Sequence, residues 1–166
     1  MKTKLYMLAM MFIAALAFSA CSDDDKNDSI TVPDAVSKAL KEKYPSATGI
    51  EWEEKGNYFV AECWMDGKEM DVWYDTHASW QLTEINISWN DLPSTVQTAF
   101  NRGEYANWKR EDIDVLEYPV QPTQNVIEVE NGNMEYQLFY AEDGSLLQAR
   151  DVSGDKDDTH WPISKL

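Results

Sequence analysis

A chain of 166 residues has room for one ordinary domain or two very small ones, and 43% hydrophobic with 12% aromatic residues supplies a core, which excludes global disorder. The formal charge is −16, and removal of a leader carrying Lys2 and Lys4 leaves 12 basic against 30 acidic residues, a net of −18. Phosphate binding relies on clustered Lys and Arg, so nucleic acid is not an expected partner; an acidic surface keeps an exported protein soluble and favours a basic partner or a cation.

Lys2 and Lys4 form a short basic start, and Leu5 to Phe18 is an apolar run of signal-peptide length, too short to span a bilayer well. It ends in Phe18-Ser19-Ala20-Cys21, which resembles the lipobox of bacterial lipoproteins, with Phe18 in place of the usual Leu. The resemblance implies a lipoprotein signal peptide over residues 1–20, lipidation of Cys21 and a lipid anchor in the membrane. Ser22 to Asp28 is charged and without apolar residues, so 21–29 reads as a solvated acidic tether. An acidic run behind a lipidated cysteine is also similar to a surface-export tag of some Gram-negative lineages. The expected address is the cell envelope, as an outer-membrane lipoprotein that is periplasm-facing or surface-exposed.

Folding starts near Ile30. In Val32-Pro33-Asp34-Ala35-Val36-Ser37-Lys38-Ala39-Leu40 a proline opens a helix and Val36, Ala39 and Leu40 share a stripe; Tyr44-Pro45 stops it. Ile50 to Glu54 is a candidate first strand. Tyr58 to Met65 then alternates, with Phe59, Ala61, Cys63 and Met65 on one side and Tyr58, Val60, Glu62 and Trp64 on the other. Asp66-Gly67 is a hairpin signal, and the return strand sets Met70, Val72 and Tyr74 against Glu69, Asp71 and Trp73. A run from Ser79 to Ile87 adds another strand. The series recurs: Leu92-Pro93-Ser94-Thr95-Val96-Gln97-Thr98-Ala99-Phe100 repeats the helix pattern, Ile113 to Tyr118 a first strand, and Asn131-Gly132 the hairpin turn, with Leu138-Phe139-Tyr140 aligning on Val72-Trp73-Tyr74.

The expected fold class is α+β: a tandem repeat of a helix plus a three- or four-stranded antiparallel meander, with the helices packed on one face of the sheet. Repeat 1 spans 30–90, repeat 2 spans 91–152, and 153–166 is an acidic C-terminal tail in which Trp161-Pro162-Ile163 either folds back on the sheet or hangs free. A unit of about 60 residues is marginal alone, so the two should share a core.

The ordered series of Val-Pro, short helix, Tyr-Pro, Trp52-Glu53, Tyr58-Phe59-Val60, Asp66-Gly67, Val72-Trp73-Tyr74-Asp75 and Trp80 resembles the PepSY-like family of secreted bacterial proteins, related in fold to the β-lactamase inhibitor protein. The second copy departs from it, with Leu146 at the Trp80 position and a loop inserted at 120–124. The resemblance implies a non-catalytic role in binding or inhibiting another protein.

No catalytic residues, metal site or cofactor are expected. His77 lies in a turn and His160 in the tail, both read as surface histidines without a triad or metal spacing, and Cys63 reads as a buried core thiol. Asp155 to Asp158 lacks the glycine and distal Glu of a calcium loop. The lead is the face opposite the core. Tyr58, Trp64, Asp71, Trp73 and Phe139 form the candidate partner-binding face, since solvated aromatics serve interfaces as anchors. Three readings follow: a protein-binding or inhibitory module, a structural or chaperone-like envelope domain whose face is plugged, or a carbohydrate-binding surface protein.

Overall fold

In a computed structural model the described residues are 30–154 and 156–162. The expected signal peptide, the expected lipidation site at Cys21, the expected tether over 21–29 and Ile163 lie outside them.

Helix α1 (Asp34–Lys43) buries Val36 and Leu40 and ends at Tyr44, the residue before Pro45. Strands β1 (Thr48–Lys55), β2 (Tyr58–Met65), β3 (Lys68–Asp75) and β4 (Trp80–Asn86) follow as antiparallel neighbours. The β2–β3 turn has both Asp66 (φ 53°) and Gly67 (φ 77°) in the left-handed region, the twist that suits a two-residue hairpin. A 3-10 turn (Trp89–Asp91), closed by reciprocal bonds between Ser88 and Asp91, leads into helix α2 (Ser94–Arg102), which buries Val96 and Phe100. Strands β5 (Lys109–Glu117), β6 (Gln124–Asn131), β7 (Met134–Ala141) and β8 (Leu146–Asp151) complete the chain.

All eight strands form one sheet in the order β1 to β8. This corrects the expected α+β tandem repeat of helix plus meander. Thr83–Asn86 of β4 pair with Asp114–Glu117 of β5, so backbone hydrogen bonds run straight across the place where two repeat units were to be divided. The described residues form a single open antiparallel sheet, mostly β, with helices of ten and nine residues laid against it.

Val36 and Leu40 of α1 pack on Phe59, Ala61, Cys63, Met70, Val72 and Tyr74. Val96 and Phe100 of α2 pack on Ile113, Ile127, Val129, Leu138 and Tyr140. Ile85 touches both clusters, so the helices share one face. Thr83, fully buried there, bonds to Tyr44 Oη and accepts from Trp80 Nε1, both at 2.8 Å, so its own hydroxyl is satisfied under α1. Cys63 is a free, buried thiol.

Candidate functional site: the sheet face opposite the helices

Alternation sends the other half of each strand to the second face. Val60, Trp73, Leu82, Leu116, Val126 and Phe139 gather there into a separate apolar patch, flanked by Tyr58 and Tyr118. No helix covers it. The chain after β8 does so instead, as a strap over residues 156–162.

Side chains of the sheet hold the strap by its backbone. Gln137 Nε2 donates to the Asp158 carbonyl at 2.9 Å, and Arg150 donates to the carbonyls of Asp158 (2.9 Å) and Thr159 (3.2 Å) while bonding Gln137 Oε1. Charge-assisted donors on carbonyls are the stronger kind of neutral-acceptor bond, which suits a segment without secondary structure of its own. Asp157 shapes the strap locally, accepting from the Thr159 amide (2.9 Å) and from Trp161 Nε1 (2.8 Å). Trp161 then meets Trp73 edge-on at 5.5 Å, and His160 meets Phe139 edge-on at 5.7 Å.

Around the patch runs a line of carboxylates. Glu51 of β1 lies opposite Glu62 of β2, Glu62 opposite Asp71 of β3, and Asp71 opposite Glu84 of β4. Like charges directly opposed across strands are destabilising, and at Asp71 they add to the effect of burial. Burial, reinforced by Glu84 and Glu62, pushes Asp71 up to about 7. Burial also raises Glu62, with Glu53 adding to the effect, and raises Asp114, with Glu84 the next cause.

The line ends in a cleft of about 270 Å³ at the strap. His160 Nδ1 is 3.0 Å from Glu84 Oε1, and Asp114, which accepts from Asn86 Nδ2 at 3.2 Å, completes a group whose ligating atoms all lie within 4.8 Å of one another. Burial works against a charge on His160, but the bond to Glu84 and the charges of Glu84 and Asp114 outweigh it and hold the imidazole above its ordinary range. Among the described residues its buried Nε2 has no hydrogen-bond partner.

Trp64 is 49% exposed, whereas Trp73 is 1% exposed beneath Trp161 and Phe139 is 8% exposed beneath His160. The structure therefore brings Tyr58, Trp73 and Phe139 together as a covered patch and leaves Trp64 exposed, so the two tryptophans divide between the covered and the solvated reading. Tyr58 is half-buried, 5.8 Å from the Trp73 ring, and Asp71 half-buried in the carboxylate line. His77 is exposed in its turn. His160 is not the surface histidine expected of a tail residue, because the strap carries it under the sheet's carboxylates with only 6% exposure. Sequence reading also passed over Glu84 and Asp114. Asp114 had a signal: it interrupts the apolar run Ile113, Val115, Leu116 at a strand position that turns out to be buried.

The family described as "Putative beta-lactamase-inhibitor-like, PepSY-like" matches residues 57–148. Among solved structures, a BLIP-like protein from Bacteroides fragilis is 45% identical and superposes with a TM-score of 0.78, over 84% of this chain and 99% of its own. A DUF2874 family protein from Bacteroides ovatus is 36% identical with a TM-score of 0.74, over 78% of this chain and 93% of its own. A protein from Bacteroides eggerthii described as "putative periplasmic" is 27% identical with a TM-score of 0.71, over 74% and 91%. No curated protein matches. With more than half its length matched by the family pattern and a solved relative at 45% identity across most of both chains, this chain belongs to the β-lactamase-inhibitor-like, PepSY-like family.

Proposed function

We propose that the chain is a non-catalytic module of the cell envelope, anchored through Cys21, that binds or inhibits another protein through the sheet face opposite its helices. The observation that carries the reading is the carboxylate line Glu51, Glu62, Asp71, Glu84. Stability alone disfavours it, since each opposed pair costs folding free energy, and a partner bearing Lys or Arg would convert that cost into attraction. Trp64 beside it offers an exposed aromatic anchor. The family's inhibitor-like members and the envelope location of the Bacteroides eggerthii relative support the setting, while the partner's identity rests on experiment because a fold does not transmit a function.

The test is capture from cell-envelope extract by the wild-type protein, followed by measured affinity for the recovered partner. Glu62→Lys and Trp64→Ala should each weaken binding at least tenfold, and added salt should slow association. A partner bound equally by both variants would sink the reading.

One observation favours a second reading: Trp73 and Phe139 are already capped by the strap. On that view the face is plugged and the domain structural, and both variants would leave every envelope contact intact. Carbohydrate stacking on Trp64 is the third reading, tested by glycan-array binding that Trp64→Ala abolishes.

A further inference from the structure

The strap crosses the sheet at the β4–β5 junction, where three chain segments deliver three metal-binding side chains to one point. Glu84 comes from β4, Asp114 from β5 and His160 from the strap. Their ligating atoms lie within 4.8 Å of one another, and Asp114 and His160 are 8% and 6% exposed. We propose that these three residues bind a single divalent transition-metal ion, zinc by donor chemistry, which fastens the strap to the sheet.

Three observations support the assignment. At 3.0 Å, His160 Nδ1 and Glu84 Oε1 stand as close as neighbouring ligands on one ion, and two lone pairs at that distance need a cation or a proton between them. A second is the ring itself: His160 lines the cleft and its other nitrogen, Nε2, is buried with no partner among the described residues, which do not supply the two-sided hydrogen bonding that fixes a structural imidazolium. The third is charge. Among the described residues seven carboxylates line this cleft against one lysine, Lys55, an imbalance that a divalent ion reduces more than a proton does. One imidazole with two carboxylates, leaving a position for water, is a donor set that zinc accepts; calcium and magnesium favour oxygen alone.

The zinc site uses neither Trp64 nor Glu62, so its failure would leave the partner-binding reading standing. The test takes the full chain, stripped with EDTA, and titrates it with ZnCl₂ by calorimetry while tryptophan emission follows the Trp161–Trp73 contact. One equivalent should bind, raise the melting temperature and change the emission. His160→Asn, Glu84→Gln and Asp114→Asn should each weaken zinc at least tenfold with unchanged circular dichroism; if Asp114→Asn does not fold, His160→Asn, altered in the strap alone, decides. Cobalt(II) should give an absorption band that His160→Asn removes. No saturable zinc binding would overturn the assignment. So would CaCl₂ binding as tightly as zinc with His160→Asn without effect, which would mark diffuse attraction to an acidic surface.

Discussion

The two faces of this sheet are made from alternate residues of the same strands, yet they are closed by different means. On one, α1 and α2 cover a continuous apolar layer that runs from Phe59 to Tyr140 through Ile85. On the other, a smaller patch around Trp73 and Phe139 is roofed by a strap with no helix or strand of its own, beside carboxylates that oppose one another across four strands. The first face is arranged for stability. The second tolerates unfavourable electrostatics and a cover held by side chains of the sheet, which is where a binding role can be accommodated.

If that contrast is right, the largest effect belongs to the helix face. Phe100→Ala, truncating a ring 1% exposed under α2, should cost about 3–5 kcal/mol in urea unfolding. A loss no larger than that of a strap mutation would erase the distinction.

Asp71→Asn probes the cost built into the other face. Its folded pKa, near 7 against an ordinary 3.8, lies above the unfolded value, so the folded chain binds this proton more tightly. The carboxyl therefore destabilises increasingly as pH rises from 4 through 7. After discounting for solvent screening, Asp71→Asn should add about 1–2 kcal/mol at pH 8 in EDTA and nothing near pH 3. A variant less stable at pH 8 would show the line to be favourable in the free protein.

Trp161→Ala should cost about 1 kcal/mol, the order of one aromatic pair, since Trp161 is itself 43% exposed, and should raise the accessibility of Trp73 to a fluorescence quencher. The smallest effect is expected of Trp64→Ala, within about 0.5 kcal/mol in stability. A larger loss would make Trp64 a packing residue and remove it from the candidate interface.

Local structure was largely legible. The alternation from Tyr58 to Tyr74 and the Asp66-Gly67 turn specify the β2–β3 hairpin almost residue for residue, because period and turn chemistry are short-range properties. The apolar side of that hairpin, Phe59, Ala61, Cys63, Met70, Val72 and Tyr74, is the side that α1 covers. The pairing of β4 with β5 was not legible, since no local pattern states which edge joins which. The site was half legible: parity put Glu62, Asp71 and Trp73 on one face, but the apolar Trp161-Pro162 next to His160 was compatible with a tail folded back on the sheet or hanging free, and only the structure sets Trp161 on Trp73. Arg150 and Gln137, the side chains that hold the strap, act on backbone carbonyls, which carry no sequence signature.

The strand order has a kinetic consequence. Each strand's partner is the one made just before it, so most closures need only a turn and their entropy is small. The exception is the passage from Asn86 to Lys109, where α2 intervenes. Assembly should hesitate at that single step, with β4 waiting as an open template until β5 arrives, and a slow folding phase in this protein is to be sought there.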